Sequence, residues 1–281
     1  MEKQTKGFLF VASLSKAYYD AAIGCIRSLR DHYPDAKIAL FTHKMWMEDR
    51  HAKLVDDLVL GIPVHVRAKL WCLPRSPYDI TAYIDVDGYF VSDDVQEIFD
   101  QLPVDKDLVM TYNRAYNAKV VYHVAEDTEY PGSPARELRH WKDKDMAIVK
   151  AGKAHTFRWH CGFFVWRKNQ HTEELWTKWL ETYKLHNDTH DGHKPYCRSL
   201  SFWDTFAFWR VLHENPHLRN IVGAFDSQRW NFVNGYREEE EIEEGKEMVF
   251  YHYSIGDPAR REGQIREDNI SSENGTWRVF K

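Results

Sequence analysis

Two short apolar runs separated by one amphipathic helix open the chain, and this arrangement restricts the fold more than any other feature. Phe8 to Ala12 is an unbroken apolar run, as a strand covered on both faces requires. Tyr19, Ala22, Ile23, Ile26, Leu29 and Tyr33 then recur at three and four residues, which predicts a helix with one buried stripe, stopped by Pro34. Lys37 to Phe41 reads as a second strand. A strand–helix–strand opening favours a βαβ unit.

The same signals continue downstream. Short strands are predicted near Leu58 and Val64, and Ala68 to Leu73 forms a helical turn ended by Pro74. Thr81 to Asp85 is a strand. Asp93 to Leu102 is a helix capped by Asp93 or Asp94, with Val95, Ile98, Phe99 and Leu102 on its apolar face. Leu108 to Thr111 and Gly162 to Trp166 are strands, and Thr172 to His186 and Phe202 to Leu212 are helices. Ile221 to Ala224 and Met248 to Tyr251 close the set as short strands, followed by a polar, loose tail after Gly256. Residues 113–160 show no clear period and contain Pro131, Gly132, Pro134 and Gly152; so long an irregular segment is usually functional or mobile. With 281 residues, no internal repeat and no clean linker, one α/β domain is expected.

Composition excludes several classes. No apolar run approaches the roughly 20 residues of a membrane helix. Phe8 to Leu14 is too short for a secretory signal and is followed at once by Ser15 and Lys16. Cys25, Cys72, Cys161 and Cys197 are scattered, form no C-x-x-C pair, and read as reduced thiols of a cytoplasmic protein (the host cytoplasm if viral). The net charge of −5 supplies no general basic field for nucleic acid. It is uneven, however: Arg237 to Glu247 holds seven acids against two bases, and Arg136 to His160 holds seven Lys/Arg against three acids. Both runs read as solvated faces, or the basic one as a surface for an anionic acceptor. Trp141, Phe157 and Trp159 are interleaved in it. Most of the eleven tryptophans belong to the core.

The stretch that carries chemistry is Ser76 to Asp100, SPYDITAYIDVDGYFVSDDVQEIFD. Asp85 and Asp87 are two apart at a strand end, so both project to the same side. Ligands of open α/β sheets bind at the carboxyl ends of the strands. Two carboxylates this close repel unless a positive charge lies between them. A hard divalent cation, Mg2+ or Mn2+, suits their oxygens and leaves positions for phosphate. A D-x-D alone also fits a turn cluster around Gly88.

With its flanking strand, short following strand and helix, the block resembles the D-x-D region of GT-A nucleotide-sugar glycosyltransferases, especially the family 8 type of glycogenin and the galactosyltransferases. The resemblance covers about residues 7–256. It implies a Rossmann-like α/β fold with a mainly parallel central sheet: one catalytic domain over 1–256, an irregular, acceptor-binding insertion over 113–160, and a tail over 257–281. It further implies a donor that is a nucleotide diphosphate sugar, mostly a UDP-sugar in such families, with Mn2+ or Mg2+ held by Asp85, Asp87 and His252. Ala12 and Ser13 would meet the base, Asp85 the ribose, and Val86 would line the nucleotide. Lys69 stands where a basic residue approaches the nucleotide sugar. Cys161-Gly162-Phe163-Phe164-Val165-Trp166 resembles the element along the donor sugar, where Gly162 would admit the sugar to the backbone; His160 replaces the Asn usual before it. Asp204 resembles the later acidic residue near the reacting centre, although it also fits a helix N-cap, and Trp230-Asn231 resembles a W-N pair. His252 resembles the His of an H-x-x-G. Its spacing to Gly256 is one residue longer and no K-P-W follows, so the diphosphate role of Gly256 is open, with Arg260 or Arg261 as substitutes.

The implied reaction is sugar transfer to an acceptor hydroxyl, with retention by the family resemblance. An inverting course would need a general base, for which Asp204 is again the candidate. The acceptor is a carbohydrate, a protein side chain, or a hydroxymethylated DNA base of the kind bacteriophage enzymes modify. Trp141, Trp159, His160 and Trp203 are the acceptor-binding candidates, and for DNA Trp141, Trp159, Arg136, Arg139, Lys142 and Lys144 would supply stacking and phosphate contacts. A haloacid-dehalogenase-like phosphatase is the rival reading of Ile84-Asp85-Val86-Asp87-Gly88, weakened by Tyr89 in place of Thr and by the motif's late position. An inactive glycan- or nucleotide-binding module is the second rival. A nucleotidyltransferase would need a Gly-rich phosphate loop near the first strand, and none is there.

Overall fold

The computed structural model describes residues 4–65, 67–112, 159–189, 204–233, 247–252, 270–273 and 276–279. Strand β1 (Lys6–Val11), helix α1 (Lys16–His32) and strand β2 (Ile38–Thr42) form the opening unit, with β1 and β2 parallel. The short helix α2 (Asp49–Ala52), strand β3 (Asp57–Leu60), helix α3 (Lys69–Cys72) and strand β4 (Ile80–Ile84) follow. Next come β5 (Gly88–Phe90), β6 (Leu108–Tyr112) and β7 (Trp159–Arg167). Helices α4 (Gln170–Thr189), α5 (Asp204–Glu214) and α6 (Pro216–Asn220) lead to strand β8 (Val222–Phe225). Helix α7 (Ser227–Trp230), then β9 (Phe232–Val233) and β10 (Phe250–His252), precede a hairpin of β11 (Ile270–Glu273) and β12 (Thr276–Val279).

The main sheet has seven strands in the order β3-β2-β1-β4-β7-β6-β8. All neighbours are parallel except β7, which runs antiparallel between β4 and β6. Strands β2 and β4 are buried at every position and β1 from Gly7 onward, as strands covered on both faces are, whereas the edge strand β3 is only partly buried. Phe8 and Phe10 of β1 pack under α1 in one cluster, while Leu9 and Val11 point the other way into a cluster with Trp166, Trp176 and Trp179. A second sheet, β5-β10-β9, sits beyond the carboxyl end of β4. Its strand β10 is antiparallel to β5, with His252 opposite Gly88, and parallel to β9.

Several sequence expectations need correction. The 93–101 segment is a 3-10 helix capped by Ser92, whose hydroxyl accepts from the Asp94 amide at 3.2 Å, so neither Asp93 nor Asp94 is the cap. Its apolar face is the expected one. α3 ends at Cys72 with Leu73 as its C-cap, just before Pro74 as expected, and the chain goes on into a separate 3-10 turn over Leu73–Arg75. Val64 lies in an exposed loop, not a strand. β7 begins at Trp159, earlier than expected. The tail after Gly256 contains the β11–β12 hairpin rather than only loose chain. Cys25, Cys72 and Cys161 are buried free thiols, as expected. Among the described residues no helix is long and apolar enough to cross a membrane.

Candidate metal and nucleotide site

Strands β1 and β4 are neighbours in the sheet while their crossover partners lie on opposite sides, which opens a crevice at their carboxyl ends. An open cleft lies there, lined among others by Val11, Ser13, His65, Lys69, Asp85 and Asp87. β4 ends at Ile84, one residue earlier than expected, and Asp85 and Asp87 stand in the bend that leads to β5, with Val86 between them buried in the core.

Asp85, Asp87 and His252 each offer one ligand atom, and these atoms lie within 4.8 Å of one another. The third comes from far along the chain because β10 pairs with β5. Gly88 makes that pairing possible: a Cβ there would stand 2.2 Å from the Phe250 ring and 2.7 Å from the Tyr251 carbonyl oxygen. This close strand approach, more than a turn, explains the glycine. His252 Nε2 is 2.9 Å from Asp87 Oδ1. Burial would raise the Asp87 carboxyl, but the adjacent His252 holds it down to about 2. Conversely, burial lowers the His252 imidazole, but Asp87 and then Asp85 outweigh it and raise it. Two carboxylates and an imidazole converging on one point form a donor set that fits a hard or borderline divalent cation.

The floor of the cleft is an ion network. Lys69 Nζ lies 2.6 Å from Asp204 Oδ2 and 3.5 Å from Asp85 Oδ1, and donates to the Cys161 carbonyl at 2.6 Å. Arg67 Nε is 3.4 Å from Asp204 Oδ1. Burial pushes the Asp204 carboxyl up, but Arg67 and Lys69 prevail and hold it below its ordinary value. Burial likewise opposes the charge on Lys69, yet Asp204 and Asp85 raise it. Asp204 is the first residue of α5, but its carboxylate serves these cations. Tyr83, two residues before Asp85 on β4, donates its hydroxyl to Asp85 Oδ1 at 2.6 Å. Burial, reinforced by Asp85, raises that phenol well above its usual value.

Ser13 Oγ donates to the Pro63 carbonyl at 2.6 Å, accepts from the His65 amide at 3.1 Å and lies 3.3 Å from His43 Nε2. The Ser13 hydroxyl thus holds Pro63 and His65 in place while the residue itself lines the cleft. Ala12 is fully buried and offers a ligand only its backbone. At Gly162 an added Cβ would lie 2.5 Å from Asp85 Oδ2 and 2.6 Å from His160 Cε1, so Asp85 and His160 fill the space that glycine leaves. Burial, with the charges of His252 and Lys69 nearby, lowers His160 to about 3 and keeps it neutral. Trp159 and His160 open β7, on the sheet's central antiparallel strand. Trp141, Trp203, Gly256, Arg136, Arg139, Lys142, Lys144, Arg260 and Arg261 lie outside the described residues.

Sequence reasoning did not single out Arg67, Tyr83 or His65. Their signals were weak: Arg67 is two residues from Lys69, and Tyr83 is two residues from Asp85, near the end of β4.

No protein-family model matches the chain, and no curated protein matches it in sequence. Solved structures do match. The bifunctional glycosyltransferase WbbM aligns with a TM-score of 0.54 and 14% identity, covering 90% of this chain and 46% of that one. Mouse xyloside xylosyltransferase 1 aligns with a TM-score of 0.50 and 10% identity, covering 89% of this chain and 98% of that one. GlyE of Streptococcus pneumoniae aligns with a TM-score of 0.47 and 13% identity, covering 79% of this chain and 46% of that one. The chain thus spans a little under half the length of GlyE and WbbM. The mixed α/β architecture with its mostly parallel central sheet, which aligns with WbbM and xyloside xylosyltransferase 1, is a GT-A fold.

Proposed function

We propose that this chain is a metal-dependent glycosyltransferase that moves a sugar from a nucleotide diphosphate sugar, a UDP-sugar, to an acceptor hydroxyl. The observation that carries the reading is the meeting of Asp85, Asp87 and His252 at the mouth of a cleft at the carboxyl end of β4, on a glycosyltransferase fold. These three residues would hold Mn2+ or Mg2+, and the bound cation would neutralise the charge of the departing diphosphate. The loop held by Ser13 forms one wall of the nucleotide pocket, with His65 on its surface. Lys69, between Asp85 and Asp204, supplies fixed positive charge beside the sugar-phosphate. Asp204, held ionised by two cations, is a poor proton acceptor; we assign it to countering positive charge that develops on the sugar ring.

The phosphatase alternative loses support, because its motif belongs after the first strand and here follows the fourth of a GT-A sheet. The acceptor is a carbohydrate hydroxyl or that of a hydroxymethylated DNA base; binding of such DNA that weakens steeply with salt would select the second.

A thermal-shift panel of nucleotide sugars, with and without Mn2+, followed by measurement of released nucleoside diphosphate, tests the reading. One nucleotide sugar should raise the melting temperature in a Mn2+-dependent way and then turn over. No shift with any nucleotide sugar would overturn it, and a shift without turnover on any acceptor would leave a binding module.

A further inference from the structure

Behind His252 lies a chain of hydrogen bonds whose polarity is fixed at one end by a backbone amide. The Gly162 N–H, which can only donate, points to His160 Nδ1 at 3.1 Å. That nitrogen therefore carries a lone pair and the His160 proton sits on Nε2. Asn231, which is 2% exposed, reaches the same Nδ1 at 2.9 Å with its amide nitrogen. The amide also donates to Thr111 Oγ1 at 2.9 Å, a hydroxyl whose own hydrogen goes to the Phe163 carbonyl at 3.4 Å. Both contacts orient the Asn231 amide the same way, so its oxygen faces His252 Nδ1, at 3.1 Å. An amide oxygen only accepts. His252 must then hold a proton on Nδ1, which leaves Nε2, the atom facing Asp87, as the one that can ligate.

We infer that Asn231, itself oriented by His160 and Thr111, is a positioning residue that locks His252 in the Nδ1–H tautomer and aims its Nε2 at the cation. Metal-bound histidines commonly donate their second nitrogen to such a partner, and losing that partner weakens metal binding roughly 10–100-fold. The fold supplies the partner through β9, which starts one residue after Asn231 and lies parallel to β10. The inference rests on the metal reading of Asp85, Asp87 and His252.

Two measurements on the full chain test it. In Mg2+-saturated, 15N-histidine-labelled protein, long-range 1H–15N correlations should show His252 protonated on Nδ1 and His160 on Nε2. Titration of Mn2+, followed by the electron paramagnetic resonance of the free ion, should show Asn231→Leu binding roughly 10–100-fold more weakly than wild type. A wild type that binds no Mn2+ overturns the metal site and this inference with it. A wild type that binds Mn2+ with His252 protonated on Nε2 overturns the inference alone, and so does unchanged affinity in Asn231→Leu. The tautomer measurement needs no variant, so it decides the matter even if Asn231→Leu fails to fold.

Discussion

Lys69 and Asp204 form a buried ion pair across the cleft floor, Nζ to Oδ2 2.6 Å, with side chains only 5% and 6% exposed. Neither element that carries them is adjacent to the other in sequence, and the pair ties α3 to the start of α5. Removing one partner of such a pair leaves a buried, uncompensated charge. Lys69→Met should therefore destabilise the protein by about 3–5 kcal/mol in urea unfolding, and Asp204→Asn by at least as much, because it takes the carboxylate from both Lys69 and Arg67. The double variant should show a coupling above about 1 kcal/mol. Strict additivity would mean that the pair contributes nothing.

Gly162→Ala forces a methyl group against Asp85 and His160. The Asp85 carboxylate is the easier of the two to displace, so the expected result is weaker Mn2+ binding with a stability loss of about 1–3 kcal/mol. Calorimetric Mn2+ titration beside thermal melts separates the two effects. Retention of wild-type affinity would show that Asp85 does not need its observed position.

Asp87→Asn keeps the shape of the side chain and removes the charge that faces His252. The metal-free fold should persist, since Val86 and β5 anchor this segment in the core. The Mn2+-induced rise in melting temperature should disappear, as should turnover with the donor found in the panel. An undiminished metal shift in this variant would place the ion elsewhere.

Stability at low pH should depend on Asp56. It accepts from the Ile38 amide at 3.0 Å, from Lys37 Nζ at 2.8 Å and from Arg30 Nη2 at 3.0 Å. Burial raises its carboxyl, but these donors outweigh that and hold it below its ordinary value. A carboxyl lowered in the folded state binds its proton more readily when unfolded. Its stabilisation is thus complete above the ordinary carboxylate range and is lost as pH falls through the lowered folded value. Asp56→Asn should cost about 1–2 kcal/mol at pH 7 and make the decline of melting temperature below pH 5 shallower. Parallel wild-type and variant curves would remove Asp56 from the acid response.

Much of the scaffold was legible because its signals are local. The β1–α1–β2 opening and the strand under Asp85 follow from apolar runs and helical periods within a few residues. One misreading was a local competition: Ser92 outcompeted two aspartates for the cap.

The short D-x-D spacing after a strand already suggested that Asp85 and Asp87 face one site, although both lie in the bend between β4 and β5 rather than in the strand itself. Tertiary structure alone brought His252 opposite Gly88, set Asn231 behind it, and joined Lys69 to Asp204. Strand periodicity is a property of neighbouring residues. Which strands lie side by side depends on burying apolar surface and satisfying backbone groups across elements far apart in the chain, and no local pattern carries that information.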